Sequence, residues 1–311
     1  MTLRNALVGA LAVASLAACG TTTPAADSGK IQVVASTNVW GSVVKAVGGD
    51  EVEVKALLDD PSADPHSYES KPADAALVKD AKLVVFNGGG YDDFFAKLIT
   101  SDATKKVEAF PLREDNHAEP STSEAPATSQ APDADGHEHG ENEHVWYDLH
   151  TVQAVAEAAA NELGAIAPDK KSTFEKNTAD FTAKLEELEK KVVGIGQGKK
   201  VAATEPIAHY LIEESGAEDV TPEAFSKAIE EESDVPAAAL AEMNQLVEGK
   251  QIAVLLENTQ TENQVTKSVV EKAKSAGVPV VAVTETLPEG VTGYLDWMSK
   301  QVDELSRALK A

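Results

Sequence analysis

Short apolar runs rich in Val, Ile and Ala alternate with stretches of helical period along nearly the whole chain, and this alternation limits the fold more than any other feature. Ile31-Gln32-Val33-Val34-Ala35-Ser36 reads as a strand, with β-branched residues closed by a turn. Residues 39–47 have helical period and stop at Gly48-Gly49. Strands at 52–58, 83–86 and 106–110 follow, interleaved with helices at 72–80, opening on Pro72, and at 91–99. Later the order restarts, with strands at 199–203, 218–220, 251–256 and 278–283 and helices at 206–214, 236–248, 261–276 and 290–309. Parallel neighbours need crossover connections, and the crossover helices cover both sheet faces, so the pattern predicts an α/β fold. Between the halves, helices at 150–163 and 168–193 have no strand beside them. In the second, Phe174, Phe181, Leu185, Leu188 and Val192 fall on one stripe. The expectation is two lobes, residues 30–165 and 199–311, each a parallel sheet flanked by helices. One long rigid helix within 166–198 would join them and leave a cleft between.

Two segments stand outside this order. Residues 111–143 are rich in Ser, Thr, Ala, Pro, Asp and Glu with almost no apolar content, and read as a mobile acidic loop inside the first lobe. At the start, Arg4 precedes an apolar run, 7–16, that is too short to span a bilayer. That run ends in Leu16-Ala17-Ala18-Cys19-Gly20, which resembles the lipobox of bacterial lipoproteins. The resemblance implies a signal peptide over 1–18, acylation of Cys19, and a tether over 19–29 holding the protein to the outer face of the cell membrane. Cys19 is the only cysteine, so an intrachain disulfide and a thiolate zinc cluster are both excluded. Any metal must be held by nitrogen and oxygen. The formal net charge of -25 repels nucleic acid and draws cations, and it also suits an extracytoplasmic surface.

Five of the 7 histidines, His66, His117, His137, His139 and His144, fall between positions 66 and 144. Imidazole is the commonest ligand for divalent transition metals. A lone loop histidine is ordinarily a surface residue, and a glutamate at a helix start, such as Glu205 before Pro206, ordinarily serves the helix dipole. Placement raises four residues above those defaults. His66 follows the second strand, His144 the fourth strand and its insertion, Glu205 the first strand of the second half, and Glu285 the last strand. Open α/β sheets bind ligands at the carboxyl ends of their strands. Facing lobes would bring two donors from each side, an N2O2 set suited to a four- or five-coordinate ion. His150 and His209 lie in helical stretches and read as structural or surface residues.

The segments Asp64-Pro65-His66-Ser67-Tyr68-Glu69 and Asn142-Glu143-His144-Val145-Trp146 are specific, while Thr204-Glu205 before Tyr210-Leu211 and Val283-Thr284-Glu285-Thr286 add weaker support. In them the chain resembles the metal-binding lipoproteins of zinc and manganese ABC importers, which include zinc-uptake receptors and streptococcal manganese receptors. The resemblance implies two α/β lobes bridged by a rigid helix, with His66, His144, Glu205 and Glu285 as metal ligands. It also implies a permease and its ATPase as partners, and a monomer with no nucleic-acid role. Zinc receptors of that family usually carry His at the position of Glu205, and the family commonly has Asp at the position of Glu285. The acidic loop with His137-Glu138-His139 is typical of zinc receptors, with His117, His137 and His139 as auxiliary metal sites. The reading is therefore capture of a divalent metal, zinc favoured and manganese next. Alternatives are a surface adhesin without transport, or a metallohydrolase; for the latter no His-Glu-x-x-His occurs, nor a serine nucleophile elbow.

Overall fold

The computed structural model describes residues 29–61, 68–101, 103–117 and 142–310. The elements of the first half are β1 (Ile31–Thr37), α1 (Asn38–Gly48), β2 (Val52–Leu58), α2 (Pro72–Asp80), β3 (Leu83–Phe86), α3 (Asp93–Ala96), β4 (Lys105–Glu108) and α4 (Phe110–His117). Then come α5 (Leu149–Ile166) and α6 (Lys171–Val192). The second half runs β5 (Lys200–Ala203), α7 (His209–Ser215), β6 (Glu218–Asp219), α8 (Glu223–Glu230), α9 (Ala237–Glu248), β7 (Val254–Asn258), α10 (Gln264–Ala276), β8 (Val280–Val283) and α11 (Tyr294–Lys310).

Each half builds a four-stranded sheet, ordered β2-β1-β3-β4 and β6-β5-β7-β8, and every pairing is parallel. In register, Val33 stands beside Val54 and Leu83, and Val201 beside Asp219 and Val254. In both sheets the chain leaves the first strand to one side and comes back to the other. The crevice between β1 and β3, and that between β5 and β7, are thus the switch points where such sheets bind ligands.

The largest apolar cluster runs unbroken through both lobes, from Val33 and Val85 of one sheet to Val201 and Leu256 of the other, and it includes Trp40, Trp146 and Trp297. The stripe of α6 buries Phe174, Thr178, Phe181, Leu185, Leu188 and Val192. This helix packs on α1 and α5 of the first lobe and on α7 and α11 of the second. Each such aromatic or leucine side chain contributes roughly 1.5–3 kcal/mol of burial. The joining helix is therefore embedded along its length, and bending it would open the core. No helix among the described residues is long and apolar enough to cross a membrane.

The structure departs from the sequence expectations most in three places. The helix expected at 91–99 shrinks to the single turn α3. Gly88, Gly89 and Gly90 all take positive φ, and the Asp92 carboxylate accepts from the amides of Asn87 (2.7 Å) and Gly88 (2.8 Å), which locks a turn where the helix would begin. A Cβ on Gly89 would lie 2.5 Å from the Phe110 ring. Second, the expected strand to residue 110 ends at Glu108, and α4 occupies 110–117 where the acidic loop was expected to begin. Phe110 and Leu112 pack on the main core, and the Arg113 guanidinium lies 4.3 Å from the centre of the Tyr210 ring. Third, α8 was not expected: only Phe225, Ala228 and Ile229 form its buried stripe, too short a run to stand out as a period.

Candidate metal centre

Glu205 lies two residues past β5, Glu285 two past β8, and His144 just before a 3-10 turn, Val145–Tyr147, that leads into α5. The structure brings these three side chains onto one cavity of about 20 Å³. Glu230, Glu232 and Thr261 complete its polar lining, and Ile207 and Ile229 its apolar wall. His144, Glu205 and Glu285 are 1%, 4% and 1% exposed, so ionised forms need close compensation. His66, His137, His139 and Cys19 lie outside the described residues; His117 ends α4.

The imidazole is set by its own loop. Asn142 Oδ1 accepts from the His144 amide at 2.8 Å and lies 2.9 Å from Nδ1, so the neutral ring keeps its proton on Nδ1 and presents Nε2 as the basic nitrogen. Asn142 is held in turn: its Nδ2 donates to Pro206 O (2.8 Å), and the Tyr210 hydroxyl donates to its carbonyl. Asn87, just beyond β3, donates to Glu143 O at 2.8 Å and accepts from the Trp40 indole at 3.2 Å. The Trp146 ring packs 5.1 Å from the imidazole and 4.5 Å from Tyr91.

The carboxylates are set by strand ends. Glu205 does not cap the helical turn that follows it; its Oε2 accepts from Asn258 Nδ2 instead. The same amide nitrogen donates to Glu285 Oε1 at 2.9 Å, and the Tyr91 hydroxyl from the other lobe donates to Glu285 Oε2 at 3.2 Å. Gln260 Oε1 accepts from the amides of Glu285 (2.5 Å) and Thr286 (3.2 Å). Two buried carboxylates thus share one neutral donor. Near them, burial and then the carboxylates of Glu143, Glu205 and Glu285 push the Glu230 carboxyl up to about 8. Donor atoms of Glu143, His144 and Glu230 lie within 4.8 Å of one another. Imidazole and several carboxylates on one small cavity, with no Lys or Arg lining it among the described residues, suit a hard or borderline divalent cation.

Sequence reasoning missed Glu230, Asn258, Gln260 and Tyr91. Asn258 was within reach of the strand-end rule, but the expected strand stopped at residue 256 while β7 runs to Asn258. His150 sits 3.7 Å from Glu189 on the surface, and His209 opens α7 away from the cavity lining.

Comparison with known proteins places the chain. The family model for ZnuA, the zinc-uptake complex component A, periplasmic, matches residues 33–308. The zinc-binding lipoprotein AdcA of Streptococcus pneumoniae is 27% identical over 97% of this chain, which spans 60% of AdcA's length. The iron ABC transporter substrate-binding lipoprotein MtsA of Streptococcus pyogenes is 28% identical over 96% of both chains. The manganese ABC transporter substrate-binding lipoprotein PsaA of Streptococcus anginosus is 28% identical over 90% of this chain and 80% of its own. Among solved structures, the periplasmic zinc-binding protein TroA of Treponema pallidum superposes with a TM-score of 0.69 at 17% identity, over 90% of this chain and 99% of that one, a likeness of fold. By name these relatives are metal-binding or ABC transporter substrate-binding lipoproteins, not enzymes, and the chain belongs to the ZnuA family.

Proposed function

We propose that this protein is an extracytoplasmic lipoprotein, anchored through Cys19, that captures one divalent transition metal between its lobes and hands it to an ABC permease. Zinc is the favoured cargo and manganese the next. The ligands are His66, His144, Glu205 and Glu285. One observation carries the reading: His144, Glu205 and Glu285, far apart in sequence and drawn from both lobes, line one small cavity. The relatives named for zinc, manganese and iron support the cargo class. Any such site holds Zn(II) more tightly than Mn(II), so supply and geometry, beyond raw affinity, decide the physiological metal.

The test uses the soluble chain beginning after Cys19, stripped of metal and titrated with Zn(II) and Mn(II). One tight equivalent is expected, lost in His144→Ala, Glu205→Ala and His66→Ala, and weakened as the pH falls through the imidazole range because protons compete for the ligand nitrogens. Asn142→Ala should weaken it by about 10–100-fold without removing a ligand. Undiminished binding in His144→Ala would refute the reading.

A further inference from the structure

Glu230 is the last residue of α8, a position that no strand-end rule singles out. Its helix is fixed by Phe225, Ala228 and Ile229, and Ile229 itself walls the cavity that Glu230 lines. We propose that Glu230 is an additional carboxylate donor to the captured cation, and that it favours ions taking five or six ligands over those content with four. This inference rests on the cavity being the metal site.

Two observations support it independently. The first is reach: the Glu230 donor atom lies within 4.8 Å of the His144 donor atom. Donors on one ion at about 2.0–2.2 Å stand at most about 4.4 Å apart, so a small side-chain shift closes the set. The second is company. The charged groups acting on the Glu230 carboxyl are Glu143, Glu205, Glu285 and Glu231, and no Lys or Arg among the described residues pairs with it. Carboxylates clustered in a partly buried setting all ionise only where a cation stands among them, and otherwise one of them keeps a proton. An exposed acid serving only to attract cations would have no reason to be held on the wall of the cavity by a packed helix.

Ligand number then separates metals. Zn(II) is satisfied by four donors, whereas Mn(II) prefers an oxygen-rich, six-coordinate shell. An extra carboxylate should therefore matter more to manganese than to zinc.

The experiment compares the mature chain with Glu230→Gln and Glu230→Asp. Gln keeps the shape without the charge; Asp keeps the charge but withdraws its reach. Mn(II) and Zn(II) affinities are measured by competition, and Co(II) serves as a visible probe because its d–d absorption strengthens as coordination number falls. Both variants should lose Mn(II) affinity by about tenfold or more, lose much less Zn(II) affinity, and absorb more strongly when loaded with Co(II). Should either variant fail to fold, the other carries the same readouts. Equal losses for both metals in Glu230→Gln, with Glu230→Asp like the parent and the Co(II) spectrum unchanged, would make Glu230 a source of attraction only and overturn the proposal. A parent chain binding neither metal would instead overturn the reading of the cavity itself, a failure visible before any variant is made.

Discussion

The two lobes share one strand order yet are built differently around it. The outer face of the first sheet is covered by α2 and the single turn α3, over a small cluster of Val34, Val78, Ala81, Val84, Phe86 and Phe95. The outer face of the second carries α8, α9 and α10 over a larger one that includes Phe225, Met243, Val247, Leu255, Val269 and Val270. Their contributions to the cavity differ in the same way. The second lobe sends carboxylates directly off strand ends and braces them with Asn258 and Gln260. The first sends an imidazole from a loop, which needs Asn142, Asn87 and the Trp146 ring to hold it. A parallel sheet fixes whatever follows its strands at once, whereas a donor that arrives after a long connection has to be fixed by hydrogen bonds of its own.

The largest effect should come from the outer layers. Phe225 is fully buried in the second lobe's cluster, and Phe225→Ala should cost about 3–5 kcal/mol in urea unfolding of the metal-free chain. Val78→Ala, in the thinner layer of the first lobe, should cost roughly 2 kcal/mol or less. Equal losses would mean that the two layers are equivalent and that the asymmetry is one of appearance.

A second effect tests the turn that stands where the first lobe's helix was expected. Burial pushes the Asp92 carboxyl up to about 6, against hydrogen bonds from the Asn87 and Gly88 amides that favour its charge. A carboxyl whose folded value is raised stabilises fully below its unfolded value, near 4, and loses that contribution as the pH rises through 6. The contribution is of the order of 3 kcal/mol. From pH 4 to pH 7 the parent should therefore lose stability relative to Asp92→Asn by about that amount, and a difference that stays constant would show that the carboxyl ionises there as freely as in water.

This asymmetry also explains what the sequence revealed. The sheets and the long helix were legible because Val-rich strands and the Phe174-to-Val192 stripe repeat their periods over enough residues to be seen. Glu205 and Glu285 were legible because they follow strands directly. The glycine run at 88–90 was legible as the close of a strand, but not the continuation of its turn to Asp92, since helical period begins at Tyr91 in residues that the Asp92 carboxylate helps to hold out of a helix. Glu230 was hidden for a different reason: its helix is short, its buried residues are few, and its nearness to His144 arises only when the lobes come together.

The smallest effect concerns the join between lobes. Gln260 accepts from the Glu285 amide through Oε1, while its Nε2 donates to Thr286 Oγ1 and to Pro61 O, each at 2.8 Å. Pro61 follows β2 in the first lobe, so one side chain holds the second lobe's carboxylate residue and grips the first lobe. Gln260→Ala should cost only about 1–2 kcal/mol of stability, because solvent can re-pair groups that are half-buried. Its effect on the metal should be larger in rate than in stability, with release measured by chelator competition speeding by about tenfold. Gln260→Glu keeps an acceptor for the Glu285 amide but loses the donor to Pro61, so it separates the two duties. Fast release in Gln260→Glu would place the control in the tie between lobes. Parent-like release there, with fast release in Gln260→Ala, would place it in the posture of Glu285 alone, and the second lobe would then hold its half of the site without help from the first.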